Sequence, residues 1–201
     1  MRLGRNSVLA FLLAVCSLAT ACQGQAAGRG SSLVGTNLGA EAAPGFTLLD
    51  QQGKEVALSD LKGKTVALTF LYSSCPDICP VITNKFGTVH DALGERARAV
   101  AFVAVTVDPE RDTTARLRQY LEAQGLAGKM LFLTGDRAQL EAVWDAYHIL
   151  VSRPSQGQAA YTVTHSDAVY VLDKDSRMRA LMHTDLLPAD LQRNLELLIA
   201  K

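Results

Sequence analysis

Apolar residues in the middle of the chain come in short unbroken runs, separated by longer polar stretches with helical spacing, an alternation that predicts a layered α/β domain. Thr65 to Tyr72 and Val100 to Val107 are nearly continuous in apolar residues and read as strands buried on both faces. Between them, the stretch after residue 75 has helical character to about Leu93 and is closed by Gly94. Asp108-Pro109 then introduces a polar helix from about Thr113 to Gln124, followed by a third strand over Met130 to Leu133. Arg137 to Tyr147 reads as a helix whose stripe of Leu140, Val143, Trp144 and Tyr147 marks Trp144 as a core residue. Upstream, Phe46 to Leu49 and Glu55 to Leu58 form a hairpin around Asp50 to Gly53, with a single helical turn over Ser59 to Gly63. Downstream, Ala168 to Leu172 and Met178 to His183 predict a second hairpin, and Pro188 to Ala200 a closing helix. These βαβ units, hairpin and helix predict a central mixed sheet flanked by helices, beginning near Pro44.

Before Pro44 the pattern changes. Arg2 and Arg5, the apolar run Val8 to Leu18 and the small residues Ala19-Thr20-Ala21 read as an export signal over residues 1–21. That run falls short of the roughly 20 apolar residues a bilayer span requires. Cys22 stands directly after the small residues, an arrangement that resembles a bacterial lipobox, in which this cysteine receives lipid. Ala19 departs from the leucine usual there, so ordinary cleavage leaving a free Cys22 is the alternative. Lipidation is preferred, because an exposed odd thiol outside the cytoplasm invites intermolecular pairing; Cys16 would leave with the signal. Gln23 to Ala43 is rich in Gly, Ala and Ser and reads as a tether with a reach of roughly 25 Å. The expected organisation is a signal peptide at 1–21, a lipid-anchored flexible tether at 22–43 and a domain at 44–201, held to a membrane on its extracytoplasmic side.

Twenty basic and twenty acidic residues give a net charge of zero, and there is no polybasic stretch. Nucleic-acid binding therefore has little electrostatic support. A length of 201 residues with 48% apolar composition suffices for one well-buried core plus extensions.

The candidate chemistry lies in CPDICP, Cys75 to Pro80, at the junction between the first long buried strand and the following helix. A thioredoxin-like fold carries its dithiol at this place. Two thiols in one turn can chelate a soft metal or close a disulfide. With Pro76 and Pro80 tolerated in the first helical turn, both cysteines stand near the positive end of the helix dipole, which favours thiolate. If both were helical, their spacing would set the Cβ atoms about 5 to 6 Å apart, wider than the roughly 3.5 to 4.5 Å of a relaxed disulfide. Chelation is favoured on that ground, although a non-helical Cys75 still allows the bridge. An imidazole is the usual complement to two thiolates around a soft metal. His90 and His148 fall on helices, His183 in or beside the last strand, and His165 just before the strand Ala168 to Leu172, where its ring can reach the dithiol end of the sheet. The residues alone leave His165 open between a ligand and a solvated loop histidine.

Three blocks narrow the reading. FLYSSCPDICP, VTVDPERDT from Val105 to Thr113, and YTVTHSDAVYVLD from Tyr161 to Asp173 occur in the order found in the SCO/SenC family, which the chain resembles from about Pro44 onward. The resemblance implies a thioredoxin-like, membrane-attached protein that binds copper and serves assembly of the dinuclear copper site of cytochrome c oxidase. It implies Cys75, Cys79 and His165 as the copper ligands, and the oxidase copper-site subunit or another copper protein as partner. Thr164 stands where many relatives carry an acidic residue. In the second block, Asp108-Pro109 is good turn chemistry and Asp112 or Thr113 can cap the next helix; the alternative is that Asp108 orients the metal site or forms part of a docking surface.

The expected mechanism is ligand exchange, in which the reduced dithiol and His165 capture copper and a partner's ligands take it over. A thiol–disulfide oxidoreductase would use Cys75 and Cys79 as its redox pair and dispense with His165. A copper or redox sensor would use the same groups. A peroxiredoxin-type peroxidase wants a threonine where this chain has Tyr72. Zinc suits the same ligands chemically, and copper is preferred through the resemblance.

Overall fold

The computed structural model describes residues 32–153 and 161–200. The export signal, Cys16, the lipidation candidate Cys22, residues 23–31 of the expected tether and residues 154–160 lie outside the described residues. Among the described residues no helix is long and apolar enough to cross a membrane.

The chain runs through β1 (Thr36–Asn37), β2 (Thr47–Leu49), β3 (Glu55–Ala57), β4 (Thr65–Leu71), α1 (Ile78–Leu93), β5 (Val100–Thr106) and α2 (Thr114–Ala123). It continues through β6 (Leu131–Leu133), α3 (Arg137–Ala146), β7 (Val151–Ser152), β8 (Thr164–His165), β9 (Val169–Leu172), β10 (Met178–Met182) and α4 (Pro188–Ile199). Six strands form one mixed sheet in the order β1-β10-β9-β4-β5-β6. β4, β5 and β6 are parallel, while β9 pairs antiparallel with both β4 and β10. This is the α/β, thioredoxin-like arrangement expected from the sequence.

β4, β5 and β9 are buried at every position, which accounts for their unbroken apolar runs. The buried Thr69 hydroxyl escapes a desolvation penalty by donating to the Ala168 carbonyl at 2.9 Å. Phe70 extends from β4 into an aromatic cluster, its ring 5.7 Å from that of Tyr147 and 6.4 Å from that of Tyr170. Trp144 lies in the core, as its helical stripe predicts, with its indole N–H donating to the Thr106 carbonyl.

Two expectations need correction. The tether was expected to run to Ala43, yet Thr36 and Asn37 pair with Leu181 and Ala180 of β10. The neighbouring Val34 both donates to and accepts from the amide of Asn194, a fully buried residue of α4. Gly35 sits at φ +101°, and a Cβ there would lie 2.5 Å from the Leu181 carbonyl oxygen. The domain therefore begins about ten residues before Pro44. Backbone pairing supplies the order, and that leaves no apolar periodicity to read. The second correction is the small antiparallel pair β7–β8, in which Val151 pairs with His165, between the helix ending at Tyr147 and the strand starting at Ala168, where the sequence pattern predicts no element.

Candidate metal centre

The site forms where β4 runs into α1. α1 begins at Ile78, so Cys79 lies in its first turn while Cys75 precedes it in a turn whose amide donates to the Tyr72 carbonyl at 3.3 Å. Cys75 is therefore non-helical, the condition under which the two sulfurs can also bridge. Cys75 is 9% exposed and Cys79 fully buried, and the thiols are free.

This asymmetry divides their chemistry. A hydrogen bond from the Cys79 thiol is the main cause that lowers the Cys75 pKa to about 5, opposed by burial and aided by the amides of Asp77 and Cys79 and by Tyr72. Cys79 is pushed up by the same hydrogen bond and by burial. The helix-dipole expectation of two thiolates is replaced by one thiolate and one thiol.

Tyr72, the residue after β4, connects the dithiol to the histidine segment. Its buried phenol donates to the Cys75 sulfur and accepts from the Val163 amide, and burial first, then Cys75, raises its pKa to about 12. Its ring meets the His165 imidazole edge-on, with centroids 6.1 Å apart at 82°. His165 Nδ1 lies 3.0 Å from the Ser166 carbonyl, a contact that requires Nδ1 to carry the proton and leaves the Nε2 lone pair available to a metal.

A cleft of about 440 Å³ is lined by Tyr72, Cys75, Ile78, Val163, His165 and Asp167, among others. His183 lines a different cleft beside Val34 and Leu187. His90 pairs with Asp91 at the surface, and His148 is exposed. Of the four histidines, His165 is the one that shares the cleft with Cys75. Among the described residues no three His, Cys, Asp or Glu side chains meet at metal-binding spacing, so three-fold ligation by the dithiol and an imidazole requires these side chains to draw together.

The VTVDPERDT block builds the wall beneath the site. Thr113 caps α2 by accepting from the Arg116 amide. Asp112 caps nothing. It is fully buried and accepts from the Ser73 amide and hydroxyl and from the Thr106 hydroxyl, and burial raises its pKa. Asp108 is also buried; it pairs with the Arg111 guanidinium and accepts from the Tyr161 hydroxyl at 2.6 Å. Arg111 and Tyr161 each belong to one of the three distinctive blocks, but nothing in their residue type or spacing marks this contact.

The SCO1/SenC family model matches residues 35–200. The chain belongs to the SCO1/SenC family. The match begins at Gly35, in agreement with the ordered β1 segment and not with a domain start at Pro44. Among named SCO relatives, a SCO2-like protein of Rickettsia typhi is 30% identical over 143 residues, covering 70% of each chain. Among solved SCO structures, Bradyrhizobium japonicum ScoI with copper bound superposes with a TM-score of 0.71 at 30% identity, covering 78% of this chain and 99% of that one. Yeast Sco1 with copper bound gives 0.68 at 26% identity, covering 76% and 84%.

Proposed function

We propose that this SCO1/SenC protein carries copper through Cys75, Cys79 and His165 and delivers it to the copper-site subunit of cytochrome c oxidase or to another copper protein. The observation that carries the reading is the shared cleft: Cys75 and a histidine with a free Nε2 line the same cavity, with the Cys79 thiol hydrogen-bonded to Cys75 beneath it. Copper-bound ScoI, similar over most of this chain, supports copper as the cargo.

In this mechanism the Cys75 thiolate meets incoming copper first, because it is already ionised at neutral pH. Cys79 then releases its proton to water and becomes the second sulfur ligand, while His165 swings Nε2 into the third position. Soft sulfur with one imidazole suits Cu(I), and a three-coordinate ion leaves room for a partner's ligand to attack before one of these departs. Oxidation of both thiols to a disulfide removes two ligands and stops binding.

The experiment is copper stoichiometry on the reduced domain and on its oxidised form. One copper is expected in the first and none in the second, with His165→Ala losing retention. Copper held equally well by the oxidised domain would overturn the proposal.

The asymmetry of the thiols also favours a second reading, a thiol–disulfide reductase for a partner's cysteines. Cys75 would attack the partner disulfide as thiolate, and Cys79 would then attack the mixed disulfide, releasing the partner's dithiol and leaving Cys75–Cys79 oxidised. His165→Ala separates the two, since reduction would survive it and copper delivery would not. We further propose export and lipid anchoring through Cys22, expected to appear as incorporation of labelled fatty acid that Cys22→Ser abolishes.

A further inference from the structure

We infer that Arg111 seats the histidine segment over the dithiol, and so sets copper affinity without supplying a ligand. The inference rests on the copper reading above and adds a positioning residue to it.

His165 belongs to a two-residue strand, β8, which among the described residues pairs with the two-residue β7 and is extended by one backbone bond from Ser166 to Leu150. Such a pair has little stability of its own and needs outside support to hold a ring in place. That support converges on Arg111. Its guanidinium pairs with the buried Asp108 and donates from Nη1 to the Tyr161 carbonyl at 2.9 Å. Its Cζ lies 3.8 Å from the Tyr161 ring centroid and 5.7 Å from that of Tyr72. Asp108 closes the loop by accepting from the Tyr161 hydroxyl.

The contacts thus run from the loop after β5, through Arg111, to both ends of the cleft. Tyr161 starts the segment that continues through Val163 to His165, and Tyr72 touches His165, Val163 and Cys75. A planar cation that stacks on aromatic rings while its fork reaches a carboxylate and a carbonyl is chemistry only arginine offers. Copper binding needs the 161–165 segment near enough for the His165 ring to swing to the sulfurs, so any population in which that segment has lifted away dilutes the binding-competent state and weakens the apparent affinity in proportion. Losing one desolvated cation–π contact with its hydrogen bonds is expected to cost about tenfold in affinity.

The test compares the reduced domain with Arg111→Gln, Arg111→Lys, His165→Ala and the Arg111→Gln/His165→Ala double variant. Copper affinity is measured by chelator competition, and amide exchange over residues 161–165 is measured without copper. Arg111→Gln is expected to weaken copper about tenfold and speed exchange in that segment, with Arg111→Lys intermediate. In the His165→Ala background Arg111→Gln is expected to change nothing further, because its effect passes through the imidazole. Unchanged affinity in Arg111→Gln, or an equal loss in both backgrounds, overturns the inference. Should the unsubstituted domain bind no copper, or His165→Ala bind it equally well, the copper reading itself fails. The exchange rates then still decide whether Arg111 holds the segment. Tyr161→Leu, which removes the stacking ring and leaves Arg111 with Asp108, repeats the comparison if Arg111→Gln does not fold.

Discussion

Cys75 and Cys79 differ in reactivity because one proton is shared between a sulfur at the cleft and a sulfur beneath it. With the Cys75 pKa lowered to about 5, alkylation of the reduced domain is expected to label Cys75 alone, with a rate midpoint near that pH. Tyr72→Phe removes a hydrogen-bond donor to the thiolate and should move the midpoint upward; an unchanged midpoint would mean the phenol does not contribute. The same shifts set the pH dependence of stability. Between pH 5 and the ordinary thiol value of 9.0, Cys75 in the unfolded chain binds a proton that the folded one does not, so stability rises with pH across that interval. Above it the sign reverses, because buried Cys79 keeps a proton that the unfolded chain gives up. Urea midpoints of the reduced domain, referenced to a Cys75→Ser/Cys79→Ser variant, are expected to rise and then fall across this range. A flat difference would remove the coupling between the two sulfurs.

At the scale of elements, the backbone pairing of β1 with β10 is extended by a side chain from α4. Asn194 gives and accepts a hydrogen bond with the Val34 backbone, standing in for a strand neighbour from within α4. Asn194→Ala leaves that amide and carbonyl without partners and should destabilise the domain by about 1 to 3 kcal/mol. Rapid amide exchange over residues 34–37 should accompany the loss, and a variant with wild-type urea midpoint and slow exchange would sink this account. The same elements explain what the sequence could and could not reveal. β4, β5 and β9 announce themselves because burial on both faces forces continuous apolar runs, and α1 ends where Gly94 adopts φ +55°. β1, β7 and β8 are two-residue strands held by backbone pairing, so no periodicity exposes them. Cys75, Cys79 and His165 could be picked out by residue type and by resemblance. Arg111, Tyr72 and Asp112 could not be given their roles in advance, since those depend on partners 39 and 50 positions away or on contacts made across the cleft.

Across the whole molecule, the site lies where α/β sheets commonly place ligands, beyond the carboxyl ends of the parallel strands β4 and β5. The edge formed by β1 lies three places from β4 in the sheet, with β10 and β9 between them. Stability and chemistry should therefore separate along the sheet. A domain beginning at residue 44 lacks β1 and leaves buried Asn194 and the β10 edge unpaired, whereas one beginning at residue 32 keeps them. The shorter domain is expected to melt about 5 to 10 °C lower, given roughly 2 to 4 °C per kcal/mol at this size and a loss of a few kcal/mol. Its Cys75 alkylation midpoint should match that of the longer domain, because none of the groups that lower the Cys75 pKa belongs to residues 32–43. Equal melting temperatures would mean that β1 contributes nothing in solution. A shifted midpoint would mean that the N-terminal edge is coupled to the dithiol through the sheet.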